Sequence, residues 1–118
     1  MKSVKNLATS YFRKLLKRNK HHYELPEYLR GMCYAVSNEF GRILKKEGYK
    51  PLLICGNYVV DRKDQIEPHF WLQVDKRIVD LTQMQFQGQV KHRRLKPIFI
   101  GYCRTHPEYV MDEDPEEL

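Results

Sequence analysis

Apolar residues near the start of the chain recur at three- and four-residue steps: Val4, Leu7, Ala8, Tyr11, Phe12, Leu15 and Leu16. That spacing gathers one apolar stripe on a helix over about residues 3–18, with lysines and arginines opposite, and predicts a helix lying over the core. The pattern lapses across residues 19–30, where Pro26 suits a loop or the first position of a short turn, so a connector is expected. From Met32 the helical period returns through Val36, Phe40, Ile43 and Leu44 until Gly48, whose tolerance of left-handed dihedrals suits a helix end. A helix over about 32–47 follows.

Beyond Gly48 the period changes. Residues 52–60 are apolar and β-branched enough for a buried strand, and Arg62–Pro68 reads as a polar loop. Two further strands are expected in His69–Val74 and Arg77–Asp80. Residues 83–89 are ambiguous, Lys91–Lys96 has the composition of a surface loop, and 97–103 offers a last strand. Helices first and strands after predict an α+β fold in which N-terminal helices pack on a small antiparallel sheet.

The 118 residues are of single-domain size, able to bury about two-thirds of the unfolded surface around one core. One domain over residues 1–111 is expected, followed by an acidic, disordered tail over 112–118. Net charge is +6, and its distribution says more than its total. Residues 1–23 carry seven lysines and arginines and no acid, whereas 112–118 carry Asp112, Glu113, Asp114, Glu116 and Glu117 and no base. No run of about 18 apolar residues appears, so no membrane span is expected. The N-terminal residues lack the apolar region and cleavage site of a secretory signal, which points to the cytoplasm. Cys33, Cys55 and Cys103 show no C-x-x-C pairing and are expected to be reduced.

Three residues then stand out for their chemistry. Cys33 opens the second helix, where unpaired backbone amides and the positive end of the helix dipole favour a thiolate. It shares a helical face with Val36, Ser37, Phe40 and Leu44, which turns it toward the sheet. His69 heads one strand and Asp80 ends the next. If Asp75–Lys76 is a two-residue hairpin turn, Val74 pairs with Arg77 and Trp71 with Asp80, so His69, Trp71, Asp80 and Thr82 share a face and Asp80 is the diagonal neighbour of His69. A turn one residue longer or shorter would send Asp80 to the other face. Thiol nucleophile, imidazole base and orienting carboxylate point to acyl transfer on an amide or ester.

These residues resemble a known pattern. Gly31-x-Cys33 at a helix start, Leu44, Gly48-Tyr49, Leu53-Ile54-Cys55-Gly56, His69-Phe70-Trp71-Leu72-x-Val74 and Val79-Asp80-Leu81-Thr82 are similar to the transglutaminase-like branch of the papain-like cysteine protease superfamily. The resemblance covers about residues 31–86. It implies a Cys33–His69–Asp80 triad, a helix that begins at the cysteine, and histidine and aspartate on adjacent antiparallel strands. It also implies a protein or peptide substrate and no cofactor. Many papain-like peptidases place an oxyanion-stabilising glutamine before the cysteine, but no glutamine precedes Gln65 here. The Cys33 amide is then expected as one donor, with Asn19, Tyr28 or a connector main-chain group as the other.

Other readings compete. Cys55 and Cys103, in apolar strands, are expected to be structural. Zinc is not expected, because Cys33, His69, Asp80, His21, His22, His92 and His106 lack paired ligands at short spacing apart from the adjacent His21-His22. The basic first helix, the Lys91–Lys96 cluster and eight tyrosines would also suit a nucleic-acid- or protein-binding module on a catalytically inactive fold.

Overall fold

A computed structural model describes residues 1–61 and 65–118. Three helices come first: α1 (Val4–Lys17), α2 (Leu25–Leu29) and α3 (Cys33–Glu47). Ser3 caps α1 by accepting the Asn6 amide at 3.1 Å, and the helix buries the expected stripe apart from Leu16, which stays largely exposed. Glu39 of α3 accepts from the Tyr11 hydroxyl and from Arg18, both at 2.7 Å, and ties α3 to α1. α3 ends at Gly48 with φ 108°, a left-handed geometry that favours glycine. The connector expected over 19–30 holds the five-residue α2. Pro26 fits its first turn, where a missing N–H breaks no bond, and the fully buried Leu29 anchors it.

The strands are β1 (Leu52–Val59), β2 (Ile66–Val74), β3 (Arg77–Asp80), β4 (Phe99–Tyr102), β5 (Tyr109–Met111) and β6 (Glu116–Glu117). They form one curled antiparallel sheet in the order β4-β3-β2-β1-β5, with β6 also on β1. The fold is α+β. Asp75 and Lys76, at φ 52° and 65°, make the two-residue hairpin turn, whose backbone twist matches that of the strands it joins. Leu72 therefore faces Val79 and Val74 faces Arg77, the register that the turn length predicts.

Three expectations need correcting. Of the polar loop expected over Arg62–Pro68, residues 62–64 lie outside the described residues, and β2 already begins at Ile66. Pro68 is tolerated there because β3 pairs with β2 only from Leu72 onward, so its missing N–H faces no third strand. The Lys91–Lys96 stretch exposes its charges but buries Leu95, which belongs to a second core. The acidic tail is not wholly loose, since Glu116 and Glu117 pair with Leu53 and Leu52. It lies along α3 and β1 rather than over the basic α1. Unpaired backbone groups at the β1 edge supply the reason.

Side-chain alternation sorts the sheet into two faces. Leu53, Leu72 and Val79 pack under α1, α2 and α3. Ile54, Tyr58, Trp71, Ile78, Phe99 and Tyr109 face the other way, covered by Phe86, Val90 and Leu95 from the segment that opens as the 3-10 helix Gln83–Gln89. The sheet is thus buried on both sides, more than helices on one face require.

β5 approaches β1 closely because Gly56 has no side chain. A methyl group there would overlap the Val110 carbonyl oxygen and stand 2.6 Å from the Trp71 ring. Gly56→Ala is expected to destabilise the chain by about 1–3 kcal/mol, the usual cost of overpacking. Urea unfolding of the two proteins checks this.

Candidate active site

Asp80 is the fixed point of the site. The side chain is 1 % exposed and every lone pair it directs inward is used. Its Oδ1 accepts from the Thr82 amide at 2.9 Å and the Thr82 hydroxyl at 3.2 Å, and its Oδ2 from His69 Nε2 and the Tyr109 hydroxyl, both at 2.7 Å. Burial alone would push this carboxyl up, but His69, the Thr82 amide and Tyr109 hold it below the usual carboxylate range. A carboxylate that only accepts fixes the proton of His69 on Nε2. The second ring nitrogen, Nδ1, is buried and has no hydrogen-bond partner.

His69 itself sits in an aromatic box. Phe86 meets it edge-on at 4.9 Å, Tyr58 at 6.1 Å, and Trp71 is tilted against it at 5.9 Å. Burial disfavours the imidazolium, yet the charge and hydrogen bond of Asp80, with help from Cys33, raise the His69 pKa to about 9.

Cys33 approaches from the opposite layer. His69 and Asp80 lie on the sheet face away from α3, since His69 stands opposite Gly56, two residues from Ile54 and Tyr58 of the second core. The meeting is allowed because β2 and β3 are paired only as far as Leu72 and Val79. Past that point the strands part and the first turns of α3 reach the bare β2 backbone, where the Ser37 hydroxyl donates to the Phe70 carbonyl at 3.5 Å. Burial pushes the half-buried Cys33 thiol up, but the His69 ring by hydrogen bonding and charge, then the Phe70 backbone, pull it below its ordinary value. The contact with Cys33 falls short of full hydrogen-bond geometry, so Nδ1 stays without a bonded partner.

The α3 N-terminus is also bare. Met32 stands at the N-cap and offers no side-chain bond to the first-turn amides, so those of Cys33, Tyr34 and Ala35 point outward without a capping oxygen. Gly31, at φ 75°, has open space where a side chain would be. Gln85 accepts from its amide at 3.5 Å and donates to the Thr82 carbonyl at 3.1 Å, joining this turn to the Asp80 strand end.

Two expected oxyanion donors do not serve. The Asn19 side chain is occupied with the Tyr23 backbone, and the Tyr28 hydroxyl donates to the Leu15 carbonyl at 3.0 Å. Tyr109 and Gln83 were not visible as site residues. Gln83 donates to the Tyr109 hydroxyl at 2.8 Å and accepts the Lys96 amide at 3.0 Å, holding Tyr109 as the second support of Asp80. Burial and the Asp80 charge push the Tyr109 hydroxyl well above its ordinary value, so it stays a donor. Burial raises the Cys55 and Cys103 thiols, the opposite of Cys33.

Most tyrosines are occupied in the fold. Tyr11, Tyr58 and Tyr109 are buried, and Tyr28 and Tyr49 donate to backbone carbonyls, leaving Tyr23, Tyr34 and Tyr102 exposed. Among the described residues no helix is long and apolar enough to cross a membrane. No protein-family model, curated protein or solved structure matches the chain.

Asp80→Ala would leave His69 buried beside an empty site, and a loss of about 3–5 kcal/mol is expected from urea unfolding, typical for one partner removed from a buried pair. In the unaltered chain, the stability that His69 contributes is complete below about pH 6.5 and fades as pH rises through its folded value of about 9. The Asp80 contribution is present above the ordinary carboxylate range and fades as pH falls through its lowered folded value. Unfolding free energy measured across pH should show both declines, and Asp80→Asn should flatten the alkaline one.

Proposed function

We propose that this chain is a thiol-dependent acyl-transfer enzyme of the transglutaminase-like, papain-like type, acting on an amide or ester of a protein or peptide. One observation carries the reading: Asp80 saturates its acceptors on His69 Nε2, Thr82 and Tyr109, which leaves His69 Nδ1 unpaired on the side of a thiol made more acidic than its two counterparts. A structural histidine with the same burial would be expected to satisfy both nitrogens.

In the proposed reaction Cys33 Sγ attacks the carbonyl carbon and the carbonyl π electrons move to oxygen. The resulting oxyanion is met by the uncapped first-turn amides of α3. His69 Nδ1–H donates its proton to the leaving amine or alcohol, the C–N or C–O bond breaks, and a Cys33 thioester remains. Water or an amine then adds to the thioester while His69 Nδ1 takes its proton, and the thiolate leaves. Asp80, through Nε2, holds the ring in the tautomer that this requires and stabilises its charged form. Peptidase, amidase, glutamine deamidase and transglutaminase outcomes share these steps and differ in leaving group and acceptor.

The test is selective alkylation. At neutral pH iodoacetamide should modify Cys33 about tenfold or more faster than Cys55 or Cys103, because thiolate fraction governs the rate. His69→Ala should remove that advantage. Equal rates at the three cysteines in the unaltered chain would sink the proposal. With a substrate found by screening glutamine-containing peptides for ammonia release, kcat/KM should rise with pH at a value below the ordinary thiol range. It should fall again near pH 9 as the His69 imidazolium is lost.

A supporting role for Tyr109 follows from the same chemistry. Tyr109→Phe keeps the ring in its aromatic setting and deletes one donor to Asp80. The alkaline limb of the kcat/KM profile should then move. Loss of one of its donors leaves the carboxylate more basic and the imidazolium better stabilised, so a shift to higher pH is the expected result, with the fold retained by circular dichroism.

A further inference from the structure

A groove of about 720 Å³ runs between α3 and the β1 edge. Tyr34, the neighbour of Cys33, stands at one end, and Arg42, Lys45 and Lys46 line the rest. From Tyr34 to Lys46 the helix spans about 18 Å. Residues Glu116–Leu118 form one wall of this space, laid along the β1 edge as an added peptide strand would be. Glu116 and Glu117 add a short antiparallel strand to Leu53 and Leu52, the geometry by which exposed sheet edges take up extended peptides. Alternation places Glu116 and Leu118 on the face that α3 covers.

The groove has a notch for the leucine. Gly41, in the middle of α3, is buried, and a methyl group there would overlap Leu118 Cδ1 and stand 3.2 Å from Leu72 Cδ2. Glycine inside a helix costs about 1 kcal/mol relative to alanine, and here it leaves room for that side chain. Arg42, Lys45 and Lys46 of α3 line the same groove as Glu116, which alternation turns toward α3, a match of charge as well as shape. The hold is nonetheless light. Only two residues pair, Pro115 precedes them, and among the described residues neither glutamate closes an ion pair within 4.0 Å.

We propose that the α3–β1 groove is a binding site for extended peptides in which acidic residues precede a leucine, with residues 116–118 as its tethered and displaceable occupant. A short tether gives such an occupant a high effective concentration without high intrinsic affinity, so an outside peptide binds once the tether's hold is broken. The site does not require Cys33 to react, although its Tyr34 end adjoins that residue.

A fluorescent peptide with the sequence of residues 111–118, followed by polarisation, is the probe. The full chain carrying Glu116→Pro and Leu118→Ser, which removes a backbone donor and the leucine, should bind it about tenfold or more tightly than the unaltered chain. Adding Arg42→Glu and Lys45→Glu should weaken that binding about tenfold. Equal affinity of released and unaltered chains, or binding indifferent to the charge reversals, overturns the proposal. In the unaltered chain, excess unlabelled peptide should speed hydrogen exchange at the Glu116 and Leu118 amides, and unchanged exchange under saturating peptide also overturns it. Cys33→Ala should leave peptide binding intact, so an inert Cys33 with a working groove would refute the acyl-transfer reading alone.

Discussion

The site depends on one buried carboxylate that has been left nothing to do but accept. Asp80 lies at the end of β3, where the hairpin register turns it toward His69, and where the chain bends at once so that Thr82 can donate back to it. With Tyr109 as a further donor, the carboxylate remains charged in a setting that would otherwise protonate it. Its charge then decides the state of His69, and the state of His69 decides that of Cys33. A buried ion pair of this kind is weak evidence for stability. Under the proposed acyl transfer, its cost is the requirement of a reactive thiol.

The two-faced sheet explains how helix and strands from opposite layers meet. A fully paired β2–β3 hairpin would have walled His69 off from α3. The divergence of the strands beyond Leu72 and Val79 opens the sheet at the one level where His69, Phe70 and the first turns of α3 coincide. Local irregularities gather there: an uncapped helix, a glycine at positive φ and an unpaired ring nitrogen. Each would count against a purely structural region. Together they leave amides, space and a proton-carrying nitrogen around one sulfur.

Much of this was legible in the chain. The helical stripes of α1 and α3 are strong because their apolar positions repeat over several turns, and the hairpin register followed from a two-residue turn and strand parity. Cys33, His69 and Asp80 were accessible through position within elements: a helix start, a strand head and a strand end. What escaped were features whose signal is too short or non-local. Tyr109 sits in a three-residue strand and owes its place to Gly56, far earlier in the chain, which lets β5 approach. Gln83 lay in a run of glutamines with no clear period. The second core formed from Phe86, Val90 and Leu95, spaced for neither helix nor strand. Glu116–Glu117 became a strand because β1 offered a bare edge, which no composition of the tail itself reveals.

The charge and tautomer of His69 test the Asp80–His69–Cys33 coupling most directly. Nitrogen NMR of the labelled chain near neutral pH should find an imidazolium with protons on both ring nitrogens, becoming neutral with its proton on Nε2 when Cys33 is changed to Ala and the pH is raised past its titration. A neutral ring at neutral pH in the unaltered chain, or a neutral form protonated on Nδ1, would contradict it.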